Sequence, residues 1–156
     1  MSVNLNYRIL EWENDGYLVS TDKLKIELQV VHSYLSNESY WAQGIPIETV
    51  KRCIDHSLCF GIYCDNSQVG FARIISDFTT FAYLADVFVL PAHRGKGLSK
   101  WLMKIIMEHP DLQGLRRFLL TTMDAHELYR QFGFTEYPQP ERIMTRNVPD
   151  IYKQKK

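Results

Sequence analysis

No run of apolar residues in this 156-residue chain approaches the roughly 20 needed to cross a bilayer, and its N-terminus has no signal-peptide core. Net charge is lacking too, since 18 basic and 18 acidic residues cancel. A nucleic-acid-binding domain ordinarily shows a basic excess, so that partner is not expected. Cysteine is scarce. Cys53, Cys59 and Cys64 are odd in number, lie in or beside apolar segments and lack metal spacing. They read as buried free thiols of a reducing compartment, which places the chain in the cytoplasm. His32, His56 and His109 have no ligand partners at metal spacing and His93 reads as a turn residue, so no metal is expected. Repeats, linkers and low-complexity segments are absent. One domain over residues 1–156 is expected, with residues 1–6 and 151–156 frayed.

What is present concentrates over residues 84–102. An apolar, β-branched run closed by Pro91 reads as a buried strand. Leu98, Trp101, Leu102, Ile105 and Ile106 then form the one-sided stripe of a packed helix. Between them lies Arg94-Gly95-Lys96-Gly97. Two glycines let the backbone turn sharply and leave its N–H groups uncovered. The following helix adds unpaired N–H groups and the positive end of its dipole, a setting for an anion such as a pyrophosphate. Arg94, Lys96, Lys100 and Lys104 add charge before the first acid at Glu108. The plainer reading is a tight turn with solvated lysines. A Walker loop is excluded by spacing, and a dinucleotide fingerprint needs a third glycine where Lys100 stands.

Along the chain, short β-type runs over 7–12 and 17–20 flank Asn14-Asp15-Gly16, a hairpin turn. Asp22 can cap a helix whose apolar positions are Leu24, Leu28, Val31 and Leu35. The pattern breaks over 36–46, and a second helix follows over 47–56. Strands are expected over 58–64, 68–75 and 116–122, and a last one around 143–146. Asp124 with Glu127 three residues on forms a capping box for a helix that ends at Gly133. This order describes an α/β sandwich around a largely antiparallel sheet, with one strand–helix–strand crossover.

The segment Ala92-His93-Arg94-Gly95-Lys96-Gly97 resembles the acetyl-CoA binding motif of the GCN5-related N-acetyltransferases (GNAT), Gln/Arg-x-x-Gly-x-Gly/Ala, with Ala92 departing at the first position. Tyr129-Arg130-Gln131-Phe132-Gly133-Phe134 resembles that family's tyrosine before Gly-Phe. The resemblance covers residues 65–134 well and implies a mixed, largely antiparallel central sheet flanked by helices. It also implies an acetyl-CoA-dependent N-acetyltransferase that moves acetyl directly to a primary amine, on a small molecule or a peptide. A homodimer is left open.

The resemblance further implies roles. Backbone N–H groups of Val87, Phe88 and Val89 would polarise the thioester carbonyl and pair with the pantetheine arm. Arg94, Gly95, Lys96, Gly97, Leu98 and Ser99 would hold the pyrophosphate. Tyr129 would protonate the leaving thiolate, since a phenol near pKa 10 can donate to a thiolate near 8.5. A plainer Tyr129 is a core residue beside Phe132. Over 36–46, the segment taken to face the acceptor, Glu38, Tyr40 and Trp41, with Tyr34 just before, would attract a cationic amine; Trp41 as a loop anchor is the alternative. No carboxylate stands at 83 or 85 to take the amine proton. Asp86 is the strand's one acid, and alternation puts it on the opposite face unless a bulge intervenes. Glu38, His126 and Tyr83 through water are further candidates. No base is assigned, which leaves a second reading, a CoA-binding regulatory or interaction domain without turnover. A third is a structural domain without cofactor.

Overall fold

Asp15 and Gly16 both adopt left-handed backbone (φ 49° and 80°) and join β1 (Glu11–Asn14) to β2 (Tyr17–Ser20). Two consecutive left-handed residues give a turn whose twist matches that of the paired strands. The computed structural model describes residues 8–153. The expected strand residue at position 7, and the expectation of fraying over 1–6 and 154–156, lie outside them. From the hairpin the chain continues through α1 (Leu28–Ser33), α2 (Ile47–Asp55), β3 (Leu58–Cys64), β4 (Ser67–Ser76) and β5 (Phe81–Val89). Then come α3 (Leu98–Glu108), β6 (Arg117–Leu120) and α4 (His126–Arg130).

The six strands lie in the order of the chain. Neighbours are antiparallel from β1 to β5, and the α3 crossover brings β6 in parallel to β5. Strand alternation divides the apolar side chains between the two faces. Phe60, Ile62, Ala72, Ile74 and Leu84 pack with Leu102, Met103 and Ile106 of α3 and with Tyr129. Cys59, Phe71 and Phe88 pack with Val31, Leu35, Val50 and Ile54 on the α1–α2 side. Full burial of such side chains stabilises the fold by about 1.5–3 kcal/mol each. This is the expected mixed α/β sandwich.

Local departures have local causes. Asp22 does cap, accepting from the Leu24 N–H, but what it caps is a single 3₁₀ turn, Lys23–Lys25, and Leu24 is exposed. Glu27 is held extended because its N–H donates to Gln68 Oε1 at 2.8 Å while its carboxylate accepts from the Gln68 N–H. The α-helix therefore starts at Leu28 and gives way to a π turn, Tyr34–Glu38. Asp124 caps nothing. The Thr122 hydroxyl accepts the Ala125 N–H at 3.0 Å, and Glu127 pairs with Arg130 instead. The last expected strand does not form: residues 143–148 carry no strand pairing, and Met144 is 93% exposed. The thiols are free, but only Cys59 is fully buried.

Candidate active site

At the head of α3 the two loop glycines have φ values of 77° and 76°, the region that favours glycine, and a Cβ on either would meet open space. Gly97 is the N-cap, and the first intrahelical bond runs from the Trp101 N–H to the Gly97 carbonyl. The N–H groups of Leu98, Ser99 and Lys100 are thus left without helical partners. They border a hollow of about 410 Å³ lined by Val89, Arg94, Gly95, Gly97, Ser99 and Lys100, among others. Not every basic side chain turns toward it. Arg94 donates from Nε to the Val89 carbonyl at 2.9 Å and from Nη2 to the Tyr34 hydroxyl at 3.1 Å. Lys96 turns to the Tyr17 hydroxyl at 3.3 Å, which also bonds His93 Nδ1. The backbone, Lys100 and Arg94, which keeps its charge while bonded to neutral oxygens, carry the positive potential, and Arg94 also shapes the loop.

From this hollow an unpaired edge runs along β5. Pairing with β6 stops at Leu84 opposite Leu120, so residues 85–89 have β4 on one side only. The Leu90 N–H bonds the Val69 carbonyl on β4 at 2.8 Å. Peptide planarity and the extended backbone then direct the N–H and C=O of Val89 to the unpaired side. Val87 and Phe88 lie on the same segment, Val87 on the cavity wall and Phe88 buried under Tyr34.

The edge leads into a cavity of about 700 Å³ walled by Tyr40, Trp41, Arg73, Tyr83, Asp86, Val87, Asp124, Tyr129 and Tyr152, with others. Tyr129 projects from α4, whose end is turned by Gly133 (φ 87°), and is 8% exposed. Burial pushes its phenol up to about 12, with Tyr40 and Asp124 adding smaller effects. The Tyr40 hydroxyl accepts the Met123 N–H at 3.0 Å, so the loop after α1 is tied to the loop before α4 across the cavity.

The structure brings Tyr40, Trp41 and Tyr129 to one cavity and separates them from the other two expected acceptor residues. Tyr34 is in the core, stacked on Phe88 with centroids 4.1 Å apart, and Glu38 is exposed outside the wall. Asp86 reverses the parity that alternation gives it. Arg73 pairs with Ala85 and Phe71 with Phe88, so Asp86 and Val87 both stand opposite Ala72. This is a β-bulge, with Asp86 left-handed at φ 55°. The bulge turns Asp86 to the side of Trp41, whose indole Nε1 donates to Oδ1 at 2.8 Å, and of Arg73. Sequence reasoning passed over Arg73, although an arginine inside the apolar β4 run was a signal. It also passed over Tyr152, which the C-terminal segment carries to the cavity from far along the chain.

A family model described as Acetyltransferase (GNAT) family matches residues 7–134. A protein of Gibberella zeae named Putative acetyltransferase FG08082 is 34% identical over 149 residues, covering 81% of this chain and 83% of its own. A crystal structure of a GNAT-family protein from Xanthomonas campestris pv. campestris has a TM-score of 0.87 and 55% identity, over 88% of this chain and 97% of that one. A GNAT acetyltransferase from Elizabethkingia anophelis with acetyl-CoA bound shares the fold at TM-score 0.59 and 12% identity, covering 78% of each chain.

Proposed function

Because the chain belongs to the GNAT acetyltransferase family, and is thus an N-acetyltransferase that uses acetyl-CoA, we propose that it passes acetyl directly to a primary amine, with Tyr129 as the acid. One observation carries this reading. The hollow at the head of α3, which Val89 lines, the unpaired edge of β5 and the cavity holding Tyr129, which Val87 lines, follow one another along the strand. In this order, residues 94–99 hold the pyrophosphate through backbone N–H groups, and the β5 edge pairs with the extended arm of the co-substrate. Main-chain N–H groups there stabilise charge on the thioester oxygen.

The acceptor ammonium sheds one proton to solvent, the amine nitrogen attacks the acetyl carbon and the carbon–sulfur bond breaks. Sulfur takes the phenolic proton of Tyr129, the nitrogen gives its second proton to solvent, and the Tyr129 phenolate is reprotonated from solvent. Trp41 and Tyr40 wall the acceptor side. Tyr34 acts indirectly, by stacking on Phe88 and holding Arg94; Glu38 takes no part in the wall.

A panel of amines, amino acids and peptides, assayed by thiol release, tests the reading. Direct transfer requires released thiol to equal acetylated amine, with no thiol released before the amine is added. A burst of thiol in the absence of amine, with acetyl left on the protein, overturns it.

A further inference from the structure

We propose that the acceptor is zwitterionic, an α-amino acid or a close analogue, with its ammonium against Asp86 and its carboxylate against Arg73. This rests on the cavity being the acceptor site. The observation behind it is a charged pair set in the cavity wall. Arg73 Nε donates to Asp86 Oδ2 at 2.6 Å, and the two side chains are only 15% and 9% exposed. The pair sits where β5 leaves extended geometry, since Asp86 is the left-handed residue of the bulge. A residue other than glycine holds that conformation only where its surroundings enforce it, and such places cluster at functional sites.

Spare bonding capacity points to a ligand. A guanidinium has five N–H donors and a carboxylate about four acceptor positions. Arg73 uses Nε on Asp86 and Nη1 on the Ser57 hydroxyl at 3.2 Å. Its Nη2 makes no hydrogen bond among the described residues. Asp86 receives one bond on each oxygen, from Trp41 and from Arg73, and each oxygen keeps a free acceptor position. Both residues line the cavity.

Charge then selects the ligand class. A simple ammonium beside Asp86 is attracted by the carboxylate and repelled by the adjoining guanidinium, and the two effects largely cancel. A simple carboxylate meets the reverse. A molecule carrying both groups a few bonds apart gains at each end, and the exposed Asp124 on the same cavity wall adds a further negative charge that favours the ammonium. The aromatic faces of Trp41, Tyr83 and Tyr152 suit an apolar or aromatic side chain.

Calorimetric titration of the CoA-loaded protein with two matched sets of three compounds tests this: tryptophan, its methyl ester and tryptamine, and phenylalanine, its methyl ester and 2-phenylethylamine. Charge-assisted bonds of this kind predict binding of the free amino acids about 10- to 100-fold tighter than ester or decarboxylated amine. Equal binding across each set, or none by the amino acids, overturns the proposal. The same compounds with acetyl-CoA separate recognition from chemistry: an amino acid that binds with this preference without being acetylated supports recognition and overturns the transfer reading. The double variant Asp86→Asn, Arg73→Met removes both charges together, leaving neither buried alone. The preference should shrink to about 3-fold or less, with acetyl-CoA affinity unchanged; a preference that survives overturns the proposal. The ligand series on the unaltered protein decides the matter should that variant fail to fold.

Discussion

A phenol pushed up to about 12 keeps its proton well above neutral pH, which fits the acid role proposed for Tyr129. The same burial by itself weakens it as an acid, since a free thiolate near 8.5 is several units less basic. The molecule itself supplies the comparison. Cys59, a thiol buried in this fold, is also pushed up to about 12 by loss of solvent. A sulfur that loses solvent beside Tyr129 is shifted in the same direction as its donor, which narrows the gap between them. Tyr129→Phe should therefore leave acetyl-CoA affinity intact and lower turnover by about 10²–10⁴-fold, read by calorimetry and by thiol release. Between pH 7 and 10 turnover should show no loss assignable to Tyr129; a basic limb in that range that disappears in the phenylalanine variant would contradict the role. The tyrosine itself was legible from its Gly-Phe context. Its environment was not, because Tyr40 and Asp124 reach it from separate loops.

At the scale of elements, glycine and periodicity were readable and irregularity was not. The two glycines marked the turn before α3, and their left-handed geometry bears that out. Gly97→Ala and Gly97→Glu carry the same backbone strain, about 1–2 kcal/mol, so each should lower the melting temperature by a few degrees. Only the glutamate reaches into the hollow. Acetyl-CoA should bind the alanine variant nearly as the parent and the glutamate variant at least 10-fold more weakly; equal affinities would place the pyrophosphate elsewhere. The bulge at Asp86 left no signature, because an added residue changes facing without changing composition. The break before α1 was equally hidden, set by a bond from Glu27 to Gln68 across the fold. The loop of Tyr40 and Trp41 belongs to this scale. Trp41→Ala should raise the acceptor KM about 10-fold with little change in acetyl-CoA affinity. A drop in melting temperature without that selective change would make the loop a structural anchor.

For the whole molecule, the order of strands and helices was enough to give the sandwich and its crossover, since each face could be counted from alternation. The fate of the C-terminal segment was not, as nothing in its composition tells that Tyr152 lies on the cavity wall while Met144 stays outside. One buried group links the fold to pH. His109 is 1% exposed, packs against Trp12 and Phe60, and accepts the Asp111 N–H on Nδ1. Burial lowers its pKa from the usual value near 6.5. The unfolded chain thus takes up this proton first, and stability declines as pH falls through about 6.5. Asp111, lowered by its bond to Arg8, acts only further down, below the ordinary carboxylate range. Melting temperature should fall between pH 7.5 and 5.0, and His109→Asn should flatten that slope.

The parting of β5 from β6 after Leu84 carries one more consequence, in the language of amide hydrogen exchange. Val89 presents its N–H to a gap, whereas its neighbour Leu90 is bonded to β4. In the free protein the Val89 amide should exchange with solvent deuterium far faster than that of Leu90. Saturation with acetyl-CoA should slow Val89 selectively, as though the co-substrate were a seventh strand laid briefly beside the fifth.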